Sequence, residues 1–481
     1  MTTTPDDDTH SPSATAPGRQ RPRGLRPLLL RLHFYAGVFV GPFILIAGVT
    51  GLLYALIPQI DSFAFRHELT VDQVGKQRLP LADQLAAARA AHPEGSVESI
   101  RPPELPNETT QITLAVDDVP PDYARTVFVD PYTGEVRGAL TTFGQWMPVR
   151  AWFDELHRNL HLDAVGRNYS ELAASWLWVI SLAGLVLWYF HRRNTRKLRR
   201  LASPDRDKKD RRRTLSWHGA VGVWIVVALL GLSITGITWS RYGGESINLI
   251  QTKLDTRNPS LDTALDPAPG PDTAAGEHQH GADDAAGGRD AMLYGADTAL
   301  RTAGEAGLSG PIWMYPPGEH GEGWQVAENK RDWPTRYDTI SVDPGTGEVT
   351  DRVNFADWPF LAKLTDWAIG AHMGILFGIA NQLLLALTAI GLITIVVRGY
   401  LMWWQRRPTR GSSWAAGRAP LRGTIRNLHP AAILGIVIAA VAVGWFLPLF
   451  GLSLAGFVIV DMIVGAVKQR RTATTKEHSD A

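Results

Sequence analysis

The chain has 481 residues, 45% hydrophobic and 20% charged, with a net charge of +1. It contains no cysteine, which excludes disulfides, thiolate metal sites, iron–sulfur clusters and a covalently attached c-type haem. Any iron must be held by His, Met or oxygen ligands.

A mean hydropathy of −0.07 hides strong segregation along the chain. Residues 1–26, rich in Thr, Pro, Asp and Ser, read as a disordered cytoplasmic N-terminus, and no small-residue cleavage site follows the first apolar run. Residues 27–58 carry a first membrane span, 59–147 a first outer domain, and 148–191 an interfacial helix running into a second span. A basic loop fills 192–214, a third span 215–240, and a second outer domain 241–366, with a Pro/Gly/Ala/Asp/His-rich mobile linker at 257–290. The fourth span falls at 367–404, a loop at 405–428, a two-span hairpin broken by Pro448 at 429–467, and a tail at 468–481. The expected fold is a mainly α integral membrane protein. It combines a four-helix bundle, a C-terminal hairpin and two small α+β outer domains.

Basic residues set the orientation. Arg19, Arg21, Arg23, Arg26 and Arg31 precede the first span, and twelve Lys/Arg lie between Arg192 and Arg213. Arg398, Arg406, Arg407 and Arg410 follow the fourth span, and Lys468, Arg470 and Arg471 close the last. All these segments fall on one side, which the positive-inside rule makes cytoplasmic. Both termini are then inside, and the long polar stretches lie outside the cytoplasmic membrane.

The spans come as two copies of one pattern. His33-Phe34-Tyr35-Ala36-Gly37 leads to Thr50-Gly51, and His218-Gly219-Ala220-Val221-Gly222 leads to Thr235-Gly236. In both copies Gly follows His by four positions and the Thr-Gly pair starts seventeen after it. The outer segments repeat too: Asp130-Pro131-Tyr132-Thr133-Gly134-Glu135-Val136 in one, Asp343-Pro344-Gly345-Thr346-Gly347-Glu348-Val349 in the other. Each reads as a turn leaving a strand, Thr126–Val129 or Thr339–Val342. Leu81–His92 has helical spacing and Gln111–Val116 alternates like a strand.

Leu32-His33-Phe34-Tyr35-Ala36-Gly37, Leu156-His157-Arg158-Asn159-Leu160, Trp217-His218 and Ala371-His372-Met373-Gly374, in that order, resemble PepSY-associated transmembrane proteins. The two Asp-Pro-x-Thr-Gly-Glu-Val turns resemble the end of the PepSY fold. The likeness runs from about Leu28 to Arg407 and implies a bacterial inner-membrane protein associated with iron uptake. Some members resemble di-haem reductases that release iron from ferric siderophores.

A histidine at matched depth in two duplicated helices suits a flat metal cofactor clamped between them, so His33 and His218 are one candidate pair. The competing reading is an interfacial histidine beside Arg31 or Trp217. His372, at the outer face, needs a partner from the outer end of the second span. His157, which matches the family motif, ranks ahead of His161. His191, beside Arg192 and Arg193 at the depth of His33, is a lesser candidate, its plainer reading a headgroup-level residue. His429 reads as interfacial, His278 and His280 as a weak metal signal in the linker, and His320 as a loop residue near Trp313, Tyr315 and Trp324. The glycines Gly37, Gly41, Gly48, Gly51, Gly222, Gly231 and Gly236 suit either porphyrin or helix packing. Outer Trp146, Trp313, Trp324, Trp333 and Trp358 suit a ligand platform or small-domain cores.

With both pairs filled by haem b, the chain becomes a transmembrane electron wire, because bis-His ligation leaves no open iron position. The expected acceptor is a ferric siderophore or other ferric chelate. No dinucleotide fingerprint or P-loop is present, so the electron donor is a quinol or a separate cytoplasmic protein; lipid is the other partner, and no nucleic acid is expected. The rival is a non-enzymatic PepSY anchor that binds or regulates. A transporter reading rests only on Asp461, which lies seven residues from Lys468.

Overall fold

Away from water a chain must satisfy its backbone polar groups internally, so apolar runs of bilayer length fold as helices. The computed structural model describes residues 25–193, 199–207, 209–265, 295–318, 321–406 and 428–477. Residues 1–24 of the expected N-terminal segment, most of the linker with His278 and His280, His320, and the loop with Arg407 and Arg410 lie outside the described residues; Arg26, expected in the disordered segment, instead begins the first helix.

The first half runs α1 (Arg26–Phe39), α2 (Gly41–Ala55), α3 (Ile57–Ala64), α4 (Arg66–Leu69) and α5 (Leu81–Ala91). Strands β1 (Ser96–Arg101), β2 (Thr110–Ala115), β3 (Ala124–Val129) and β4 (Val136–Thr142) follow, then α6 (Pro148–Asn159) and α7 (Asp163–Arg192). After a short α8 (Arg199–Ala202), the order repeats as α9 (Asp210–Thr238), α10 (Arg241–Lys253), α11 (Ala296–Glu305), β5 (Ile312–Tyr315), β6 (Trp324–Glu328), β7 (Thr339–Val342) and β8 (Val349–Val353). Helices α12 (Phe360–His372), α13 (Gly378–Trp404), α14 (Pro430–Phe446) and α15 (Pro448–Glu477) complete it.

Among the described residues four helices are long and apolar enough to cross a membrane: α7, α9, α13 and residues Pro448–Val467 of α15. A fifth span comes from α1 and α2 together, which meet at a bend of 59°. The chain is a multi-pass membrane protein. Spans α1–α2, α7, α9 and α13 pack on one another in a bundle, and α15 packs against α7.

The bend replaces the straight first span that hydropathy predicts, and Pro42 is its cause. Proline has no N–H for the Val38 carbonyl one turn back and crowds it. Tyr400 of α13 donates its hydroxyl to that freed carbonyl at 2.7 Å. A Cβ at Gly41 would stand 3.0 Å from the same hydroxyl. The matching position of the second copy is Val227, and α9 runs through without a break.

The outer segments were expected as two small domains, but their strands form one eight-stranded antiparallel sheet, ordered β4-β3-β2-β1-β5-β6-β7-β8. The halves join where Ile100 of β1 faces Met314 of β5. One core runs through both, uniting Leu85 and Ala88 of α5, Ala299 and Ala303 of α11, and Ile112, Val127, Val326 and Ile340 of the strands. Asp297 at the start of α11 accepts from Leu81 N at 2.7 Å and Ala82 N at 3.1 Å, so one half caps the other's helix. The repeated turns form as read. Tyr132 N and Gly345 N donate to Asp130 and Asp343 carboxylates at 2.8 and 2.7 Å. Gly134 and Gly347 take φ of 76° and 74°, where a side chain would be strained.

The hairpin is fastened to the bundle. Trp176 of α7, fully buried, donates Nε1 to Ser453 Oγ at 2.8 Å and packs on Phe450. Asp461 pairs with the buried Arg31 of α1. Arg31 is buried while Asp461 is about a third exposed, so the pair is only partly shielded from solvent. Asp461→Asn is therefore expected to destabilise the detergent-solubilised chain by about 1 kcal/mol in thermal melts. The double variant Arg31→Leu/Asp461→Leu should recover most of that loss.

Candidate functional site: two histidine pairs in the bundle

His33 lies on α1 and His218 on α9, and α7 and α13 present a carbonyl to each. His33 Nδ1 is 3.0 Å from Ile180 O and His218 Nδ1 is 2.8 Å from Ile395 O. A carbonyl only accepts, so each Nδ1 carries the hydrogen and each Nε2 keeps its lone pair. The two rings stand 6.2 Å apart between centroids.

At the sheet end, His157 of α6 faces His372 of α12 with centroids 6.5 Å apart. Their Nδ1 atoms meet Thr50 Oγ1 at 2.9 Å and Thr235 Oγ1 at 2.5 Å. Each threonine commits its own hydrogen to a carbonyl one turn back, Ile46 O or Gly231 O, both at 2.9 Å. The hydroxyls therefore accept from Nδ1–H, and His157 and His372 are also left with a free Nε2. This gives the Thr-Gly pairs of the sequence repeat a role that spacing alone left unassigned. The carbonyls repeat likewise, Ile180 and Ile395 each standing 23 residues after His157 and His372.

Residues 30–406 match the family described as PepSY-associated TM region. The chain belongs to that family. No curated protein matches it significantly.

Whether these pairs suit a haem can be tested on spacing. A first-row metal sits about 2 Å from an imidazole nitrogen, and the centroid lies roughly 1 Å behind that nitrogen, so trans imidazoles on one metal have centroids about 6 Å apart. Both pairs of this PepSY-associated TM protein meet that spacing. Among the described residues no group of three or more His, Cys, Asp or Glu could hold a bare ion. Two imidazoles underligate a bare ion but complete one that brings four ring nitrogens of its own.

The surroundings of the first pair also fit a flat group. A cavity of about 350 Å³ is lined by His33, His218, Gly37, Gly222, Leu177 and Val226, among others. A Cβ at Gly37 or Gly222 would meet nothing within 4 Å, so these glycines face open space. A Cβ at Gly231 likewise meets nothing within 4 Å, whereas Gly48 admits Leu392 and Gly236 admits Ala174. A Cβ at Gly184 would stand 2.9 Å from His33 Cε1, and one at Gly51 3.1 Å from His157 Cε1, so these glycines seat the rings.

The remaining candidates fall elsewhere. His372 does not open the fourth span: it ends α12, and the spanning helix starts at Gly378 after a turn at Gly374 with φ of 75°. His161 turns away from His372, pairing with Glu155 at 3.1 Å and packing on Trp152. His191 is exposed and stacks on Trp188 at the edge of the first cavity. His429 caps α14 by accepting from Ala431 N at 3.3 Å. Trp324 is buried in the sheet core and forms no platform. Trp146 lies between the guanidinium carbons of Arg150 at 3.7 Å and Arg331 at 5.4 Å.

Beside Arg150 sits Asp61, 7% exposed, with one carboxylate oxygen lacking a hydrogen-bond partner. Burial pushes its carboxyl up to about 6, against the pull of Arg150. A carboxyl raised in the folded state contributes stability when protonated and loses it as pH rises through that value. Asp61→Asn, which imitates the neutral acid, should thus raise the melting midpoint by a few degrees at pH 7.5 and leave it unchanged at pH 4.

Proposed function

We propose that this chain is a di-haem b electron-transfer protein of the bacterial cytoplasmic membrane. His33 and His218 would hold one haem and His157 and His372 the other through their free Nε2 atoms. The observation that carries this reading is the same in both pairs: each Nδ1 is anchored, each Nε2 is left free, and the spacing suits a metal between them. Bound haem would supply reversible one-electron chemistry at an iron held by two of these imidazoles.

The protein's own part is to hold and insulate. The Ile180 and Ile395 carbonyls and the Thr50 and Thr235 hydroxyls fix tautomer and ring orientation, and they make each imidazole a better donor to metal. Apolar spans exclude water. His218 and Thr235 are seventeen residues apart on one continuous helix, about 25 Å of rise, so the two sites stand near opposite ends of the bundle. Arg26, Arg211 and Arg406 line the His33/His218 end, and the positive-inside rule then favours a cytoplasmic place for that end and an outer one for the sheet.

Electrons would then enter from a quinol or a cytoplasmic protein and leave to an acceptor at the sheet end. A ferric siderophore or other ferric chelate suits that place. Hard oxygen donors hold Fe(III) far better than Fe(II), so reduction loosens the metal. The resemblance to ferric-siderophore reductases supports this choice of acceptor.

A reduced-minus-oxidised spectrum of the purified chain, with pyridine haemochrome quantification, should give about two b-type haems per chain. One should disappear in His33→Ala and the other in His372→Ala. A chain that stays colourless when expressed with haem available sinks the proposal and favours a binding or regulatory anchor. Thr50→Val removes the acceptor of His157 Nδ1–H and should shift the midpoint potential of only one of the two haems.

A further inference from the structure

The repeat continues past the histidines to the far end of the bundle. Arg26 stands seven residues before His33, and Arg211 stands seven before His218. Seven residues are two helical turns, so each arginine shares a face with its histidine, about 10 Å further along the axis. Both line the cavity that holds His33 and His218. The other helix pair repeats there as well: His191 and Arg406 each follow His157 and His372 by 34 residues, and both line the same mouth. The cavity is thus apolar in its depth and ringed at its mouth by three arginines, Arg26, Arg211 and Arg406, with His191 beside them.

A generic headgroup belt explains this less well than a built site. Of the twelve basic residues between Arg192 and Arg213, the cavity among the described residues takes only Arg211, the one the repeat pairs with Arg26. Among the described residues none of Arg26, Arg211 and Arg406 forms an ion pair. Arg406 lies over the Phe34 ring, 5.9 Å from its centroid. Burial and the like charge of Arg211 push its guanidinium below the usual value. Like charges gathered at the mouth of an apolar cavity call for an anion, and a guanidinium meets a carboxylate with two parallel hydrogen bonds.

We propose that Arg26, Arg211 and Arg406 form a carboxylate-binding collar that fixes the two acid side chains of the tetrapyrrole held by His33 and His218. This rests on the haem reading above and adds to it an orientation, with the acid edge facing the basic end of the bundle. It also adds a selectivity, for a tetrapyrrole bearing free carboxylates over its neutral ester. An anionic phospholipid headgroup offers similar charge, and the test separates the two.

The experiment uses the full chain in a His372→Ala background, so that the remaining haem is the one in question. The haem-depleted protein is reloaded with haem or with its dimethyl ester, and loss to a haem scavenger is timed by absorbance. Arg211→Gln and Arg406→Gln should each speed haem loss by about tenfold, the effect of one charge-assisted hydrogen bond. Neither should change loss of the ester, which should already leave the parent protein faster. Arg212→Gln and Arg213→Gln remove the same charge from the same helix off the cavity and should change nothing. Equal retention of acid and ester by the parent overturns the collar. So does an equal effect from the off-cavity variants, which assigns the arginines to lipid headgroups. A parent chain that takes up no haem overturns the reading beneath it, and its lack of colour distinguishes that failure from the other two.

Discussion

Four half-buried imidazoles impose the constraint on which this bundle is built. A histidine placed among apolar helices has two nitrogens to satisfy, and a span's own backbone bonds are already closed. Each ring here takes its Nδ1 partner from a neighbouring helix: α7 for His33, α13 for His218, α2 for His157 and α9 for His372. The four bonds run between different helices, so they fix the mutual rotation of those helices as well as the rings. Once Nδ1 is fixed, every Nε2 is left with its lone pair, and the spacing of the rings decides what can sit between them.

Duplication explains how one short pattern satisfies all four. The Thr seventeen residues after the first-copy His serves a histidine on another element, and the second copy does the same in its own half. The symmetry is broken where local chemistry differs. Pro42 bends one copy, and Tyr400 accommodates the bend. Four residues beyond the paired threonines stand Tyr54, which accepts from Arg150 Nε at 3.1 Å, and Trp239, which lies edge-on to His372. The sheet end is therefore more polar on one side, and the two histidine pairs do not sit in identical surroundings.

The sheet adds a second tie between the halves. Four strands with one helix expose an edge and bury little alone. Joining β1 to β5 gives both halves one core and lets Asp297 cap the partner's helix. That union keeps the ends of α6 and α12, and hence His157 and His372, facing one another across the bundle.

Apart from the first helix of the hairpin, α14, which is shorter than a bilayer span, the spans, the duplicated histidines and the Asp-Pro-x-Thr-Gly turns were legible in the sequence, because hydropathy, spacing and glycine's positive φ are local properties. His157 could be ranked ahead of His161 only by family likeness. In the structure a left-handed turn at Leu160 and His161 turns His161 toward Glu155. The bend at Val40 was readable from Pro42, but the hydroxyl that accommodates it comes from more than three hundred residues away. The ion pair of Asp461 with Arg31 joins residues far apart in sequence, and only the fold brings them together. The threonine and carbonyl partners, the single sheet and the cavity between Gly37 and Gly222 likewise depend on which helix faces which. Composition and periodicity say which residues leave water. Only packing decides what they meet there, because a buried donor or acceptor is satisfied by whichever group the neighbouring element brings within reach.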